Sequence, residues 1–108
     1  MKKYNIFIDN DAEDDLFEIY AYVALNDSIQ NADRLLEELK RVCNSLRTVP
    51  RRGNVPLELR EIGISQFREI RYKPYRVFYS VEESRIVIHC VLDGRRDMQT
   101  LLQERLLR

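Results

Sequence analysis

The sequence predicts an α+β fold in the order β-α-α-β-β-β-α, with an antiparallel sheet packed on an N-terminal helical hairpin. Three observations point there. Apolar residues recur at helical spacing between Ala12 and Leu46. From Phe67 onward the pattern changes to the two-residue alternation of strands, interrupted at Lys73-Pro74 and at Glu82-Glu83-Ser84. The chain has 108 residues, 44% of them hydrophobic, which suits one domain (1–108) around one core.

A first short strand is expected over 4–9, where Tyr4, Ile6 and Ile8 share a face. Asn10 or Asp11 can cap the helix that follows, and acidic residues in its first turn complement the helix dipole. This helix runs to about Asn26 and carries Ala12, Leu16, Ile19, Tyr20 and Val23 on one side. Asp27 and Ser28 break it and cap a second helix over roughly 29–47, striped by Ala32, Leu35, Leu36, Leu39, Val42, Cys43 and Leu46. The short connection makes the pair an antiparallel hairpin. Residues 48–56 hold two prolines and a glycine and read as a loop, followed by an extended piece near Leu59–Ile62.

The three-strand meander begins at Phe67. In its middle strand, Tyr75, Val77, Tyr79 and Val81 form the face expected against the helices, which leaves Arg76, Phe78 and Ser80 on a partly open face. The last strand, RIVIHCVL, is apolar on both sides, as a central strand is. Asp93-Gly94 turns the chain. Asp97 can cap a final helix carrying Met98, Leu101, Leu102 and Leu106.

Formal net charge is zero, yet residues 1–49 hold 6 Lys/Arg against 10 Asp/Glu, and residues 50–108 hold 12 against 8. The basic half therefore carries a cationic face on a neutral molecule. Arg76 on the middle strand, Arg68, Arg71 and Lys73 on the first meander strand, and Arg95 and Arg96 after the last strand are the candidates for binding phosphate or another anion. Ion pairing to Glu58, Glu61, Glu69 and Asp97 is the competing explanation for any one of them. Cys43 and Cys90 read as buried apolar residues of a reducing compartment. His89, alternating with Val87 and Val91, reads as a core histidine. No Cys/His spacing suggests a metal, and no cofactor is expected. The N-terminus lacks the pattern of a signal peptide and no apolar run approaches a membrane span, so a cytoplasmic protein without a membrane partner is expected.

The segment from Ala12 to Gly53 contains A-x-x-D-L-x-x-I-x-x-Y and closes in S-L-x-x-x-P-x-x-G. With FREIRYKPYRVFYSV and the ending GRRDMQTLLQERLL, it resembles the ParE/RelE family of bacterial toxins from type II toxin–antitoxin systems. The resemblance implies a growth inhibitor neutralised by a cognate antitoxin in a toxin–antitoxin hetero-oligomer. It also implies one of two targets: DNA gyrase for ParE-like members, or ribosome-bound mRNA, cleaved by RelE-like members without a metal. Arg76 and Arg96 (or Arg95) match positions implicated in RNA cleavage. Arg68 and Arg71 stand where RelE-like strands carry paired lysines, and Leu101 and Leu102 stand where a C-terminal tyrosine would help. These departures tilt the resemblance towards the gyrase inhibitors.

Overall fold

The computed structural model describes residues 2–107. Its elements are β1 (Asn5–Ile8), α1 (Asn10–Asn26), α2 (Ile29–Asn44), a 3-10 turn (Ser45–Arg47), α3 (Leu57–Arg60), β2 (Arg68–Tyr72), β3 (Tyr75–Glu82), β4 (Arg85–Asp93) and α4 (Met98–Leu106). The order expected from the sequence is present, with one addition. Where an extended piece was expected after the proline loop, the chain makes the single turn α3. Pro56 starts this turn by accepting bonds from the Leu59 and Arg60 N–H groups, and Leu59 is driven into the interior.

The four strands lie in the order β1-β4-β3-β2. The meander β2-β3-β4 is antiparallel as expected. The first strand instead joins it in parallel on the far side of β4, pairing Asn5 with Arg85 and Ile8 with Ile88. That neighbour explains why β4 is apolar on both faces: it is flanked on both sides and covered on both faces.

Helices α1 and α2 form the hairpin. Asp9, rather than Asn10 or Asp11, caps α1 with its carboxylate. Ser28 caps α2 through the Asn31 N–H at 3.0 Å. The hairpin buries Ala12, Leu16, Leu39, Val42, Cys43 and Leu46 against Ile70, Val77, Tyr79, Ile86, Ile88 and Val91 of the sheet. The buried Tyr79 reaches the proline loop, where its hydroxyl donates to the Pro50 carbonyl at 2.8 Å and accepts from the Gly53 N–H at 3.0 Å.

The opposite face is not open. A second, smaller core of Leu59, Phe67, Phe78, Cys90, Leu92, Met98 and Leu102 lies there, with α3 and α4 contributing its cover. Asp97 caps α4, as its sequence position indicates. The two cores have different phases along β4 because the register shifts between Phe78 and Tyr79: Phe78 faces Cys90, Tyr79 faces Ile88, and His89 is the extra residue of a bulge. Val91 thereby joins the hairpin face, while His89 packs edge-on to Phe67 and bonds Ser80 at 2.7 Å on the other. The expected face-sharing of His89 with Val91 is broken by that one residue.

Beyond Ile88, β1 no longer covers the edge of β4. Asp15 of α1 takes over, accepting from the Val91 N–H at 2.9 Å and from Arg105 of α4 at 2.7 Å. Burial pushes the Asp15 carboxyl above its usual pKa, while Arg105 and the Val91 N–H pull it back down. Both cysteines are free and buried, as expected, and burial pushes their thiols up to about 11 for Cys43 and about 12 for Cys90. They are poor nucleophiles at neutral pH.

Leu39 is fully buried in the hairpin core. Leu39→Ala is expected to destabilise the protein by about 2–5 kcal/mol in a urea unfolding curve, from lost apolar burial and the cavity left behind.

Candidate functional site

Arg76 is the central side chain of the basic half, and its surroundings differ from the sequence expectation. It leaves the middle of β3 on the face away from the hairpin, as predicted, but only 6% of it is exposed. Its Nε donates to Glu69 Oε1 at 2.8 Å and its Nη2 to Glu69 Oε2 at 2.7 Å. Nη1 and Nη2 donate to the two oxygens of Glu58, both at 2.9 Å. Two forked carboxylates therefore hold one guanidinium, the geometry in which arginine–carboxylate pairs are strongest. The guanidinium also lies over the Phe78 ring, 5.1 Å from its centroid. Gly94 closes the remaining side: a Cβ there would sit 3.0 Å from Arg76 Cδ and 3.1 Å from the Pro74 carbonyl oxygen, so only glycine fits without displacement.

The sequence places these partners. Glu69 sits on β2 two residues from Arg71, whose register partner is Arg76, and Glu58 comes from α3. Hydrogen bonding to Glu58, then to Glu69, pushes the Arg76 pKa up against the opposing effect of burial. Arg76 in turn holds the Glu58 carboxyl below its ordinary value. Burial of an arginine is tolerated because each charge has a partner.

The other basic residues are arranged around this closed centre. A cleft of about 290 Å³ is lined by Arg71, Lys73, Pro74, Tyr75, Arg76, Gly94 and Arg95. Arg71 pairs with Glu69 at 3.0 Å and stays mostly exposed. Arg95 is engaged by Asp93, Nε to Oδ1 at 2.9 Å and Nη2 to Oδ2 at 2.6 Å, and it draws the Asp93 carboxyl down to about 2. Arg96 is exposed and does not line the cleft, so the structure does not bring it beside Arg76. Arg68 turns to the proline loop and donates to the Gly53 carbonyl at 2.7 Å. It joins Arg71, Arg52 and Arg60 around a larger groove of about 630 Å³ on the β2 edge. Sequence reasoning did not single out Arg52 and Arg60. Their signal was position: one stands beside a glycine in a proline loop, the other ends a one-turn helix.

Glu58 and Glu69 are the carboxylates that touch Arg76, and both are engaged in ion pairs with it. His89 is held by Ser80 and Phe67, and burial pushes its pKa down. Tyr75 lines the cleft, and burial pushes its hydroxyl up. Among the described residues, no group of three or more His, Cys, Asp or Glu side chains could hold a metal. No helix among them is long and apolar enough to cross a membrane.

Residues 6–98 match the model of a family described as the ParE toxin of type II toxin–antitoxin system, parDE. The chain belongs to the ParE toxin family. It is therefore a toxin of the type II toxin–antitoxin class that this family comprises. Three solved structures share the toxin's fold. The chromosomal ParDE system of P. aeruginosa has 15% identity and a TM-score of 0.69, covering 82% of this chain and 94% of that one. The RelBE toxin–antitoxin complex of Mycobacterium tuberculosis has 20% identity and a TM-score of 0.63, covering 86% and 93%. A free E. coli RelE toxin with two arginines replaced by alanine has 15% identity and a TM-score of 0.62, covering 98% and 97%. No curated protein sequence matches the toxin significantly.

Arg76→Ala is expected to destabilise the toxin by about 3–5 kcal/mol in a denaturant titration, because it leaves the half-buried Glu58 without its forked partner and the buried Glu69 with the exposed Arg71 alone. The same cluster sets an acid limit. The folded-state pKa of Glu58 lies below its ordinary 4.5, so its ion pair contributes stability above that value and loses it as pH falls through the depressed folded value. Denaturant midpoints followed downward from neutral pH are expected to drop across that window. Glu58→Gln, less stable at neutral pH, should show a shallower drop.

Proposed function

We propose that the toxin stops growth by binding DNA gyrase and stalling replication, without catalysing a reaction, and that a cognate antitoxin neutralises it in a toxin–antitoxin hetero-oligomer in the cytoplasm. The observation that carries this reading is the closed state of Arg76. An arginine that stabilises a phosphoryl-transfer transition state has to present N–H donors to the substrate's oxygens. Here four donor contacts of one guanidinium are already made to Glu58 and Glu69, and two carboxylates stand where an incoming phosphate would be repelled.

The second reading is a RelE-like, metal-independent endoribonuclease acting on ribosome-bound mRNA. The exposed Arg96, together with Arg71, Lys73 and Arg95 near the cleft, favours it. On that reading Arg76 and Arg96 are the catalytic candidates, and Arg68, Arg71, Lys73 and Arg95 hold phosphates.

The two readings separate in purified systems. The toxin is expected to block supercoiling by gyrase, to do so equally well as Arg96→Ala, and to leave A-site mRNA intact on programmed ribosomes. Unimpaired supercoiling combined with cut message that Arg96→Ala abolishes would reverse the assignment.

A further inference from the structure

A groove on the helical hairpin serves neither reading. It lies between α1 and α2 and encloses about 430 Å³. Ile8 of β1, Leu16 and Leu36 give it an apolar lining, with Phe17 and Tyr20 beside them and Glu13 and Lys40 as its charged members. Phe17 is 71% exposed, a large apolar side chain left in water. Burying it elsewhere would release that surface from water at a gain the monomer does not realise.

The register of the hairpin orders these residues. Tyr20 of α1 donates its hydroxyl to Asp33 of α2 at 2.7 Å, which sets the two positions level across an antiparallel pair. One helical turn away, Phe17 stands level with Leu36. A further turn away, Glu13 stands level with Lys40. The groove thus has an apolar rung and a charged rung, with the acid on one rim and the base on the other. Among the described residues, neither Glu13 nor Lys40 forms an ion pair. The rims also differ as wholes: α1 carries five Asp/Glu and no Lys or Arg, whereas α2 carries three of each sign.

We propose that this groove is the contact between two copies of the free toxin, related by a two-fold axis that runs along it. Such an axis exchanges the rims and keeps each level, so α1 of one copy lies over α2 of the other. Glu13 of each copy then meets the partner's Lys40, and Phe17 of each enters the groove beside the partner's Leu36. A surface that meets itself must supply both members of every pair, and these two rungs do so. The facing helices run antiparallel, the arrangement of a four-helix bundle. Charge selects this pairing, since α1 laid on α1 would set five acidic residues against five, while α2 has no net charge to oppose them. The inference does not depend on which target the toxin inhibits.

The test is sedimentation equilibrium of the full chain without antitoxin. The mass is expected to rise from 13.0 kDa towards twice that value as the concentration is raised to about 1 mM. Phe17→Asp, Glu13→Lys and Lys40→Glu alter exposed side chains, so the fold should hold by circular dichroism. Phe17→Asp should leave a monomer. Each charge reversal alone sets like charges together at both symmetric contacts and should weaken association about tenfold or more. An equimolar mixture of the two charge variants should associate again, because one copy then offers two lysines at the charged rung and the other two glutamates. A local distortion caused by either substitution would not be repaired by mixing. The proposal is overturned by a monomer at every concentration, by a dimer that Phe17→Asp leaves unchanged, or by a mixture of charge variants that associates no better than each alone.

Discussion

The guanidinium of Arg76 ties a one-turn helix and two sheet strands together at one point. Glu69 belongs to the neighbouring strand, but Glu58 belongs to a single helical turn inside a long connection. Four residues cannot sustain a helix by themselves. What fixes α3 is Leu59 in the second core on one side and the forked Glu58–Arg76 contact on the other. With α3 in place, the far face of the sheet is covered and Leu57 and Arg60 are held at the β2 edge. The cleft, the groove and the second core all depend on one buried charge being matched by two carboxylates. Arg76 is about as buried as Glu69 and more buried than Glu58, and it contacts both.

The same arrangement decides what a sheet arginine can do on this scaffold. A sheet arginine can be an exposed anion ligand or an internal brace, and the difference lies in whether acidic side chains reach it. Here Glu58 and Glu69 reach it. The cationic character of the basic half then moves outward, to Arg52, Arg60, Arg68 and Arg71 at the edge and to Arg96 at the exit turn. Net charge gives no hint of this redistribution, because a sum over the whole chain does not record which charges are buried together.

Much of the fold could be read from residue patterns. The hairpin stripes, the Ser28 and Asp97 caps, the meander and its Lys73-Pro74 and Glu83-Ser84 turns all follow from local chemistry that acts within a few residues. What escaped was set by contacts distant in sequence. The parallel seat of β1 beside β4 depends on an eighty-residue return of the chain that no short pattern encodes. The bulge at His89 was hidden because the residues flanking it, Ile86 to Ile88 and Cys90 to Leu92, are apolar on both faces, so a shift of phase leaves no mark on their alternation. The α3 turn was hidden because LELR alternates like a strand while being too short for helical periodicity. At the site, the carboxylates able to pair with Arg76 could be named from composition and proximity, but their convergence on one guanidinium required the register of β2 on β3. Arg52 and Arg60 gather only because the loop folds back along the sheet edge.

The seat of β1 and the Arg105–Asp15 contact also bear on when the toxin comes into being. Asn5 lies against Arg85, and Arg105 closes on Asp15 across 90 positions. Contacts of such separation delay folding, since the intervening chain must be ordered first. On a ribosome the N-terminal strand and hairpin emerge long before their partners in β4 and α4. The half-made chain therefore exposes the hairpin's apolar stripe without the sheet that covers it. A fold closed this way is complete only when nearly the whole chain has been made, and until then the hairpin's apolar stripe is left to water or to other apolar surfaces.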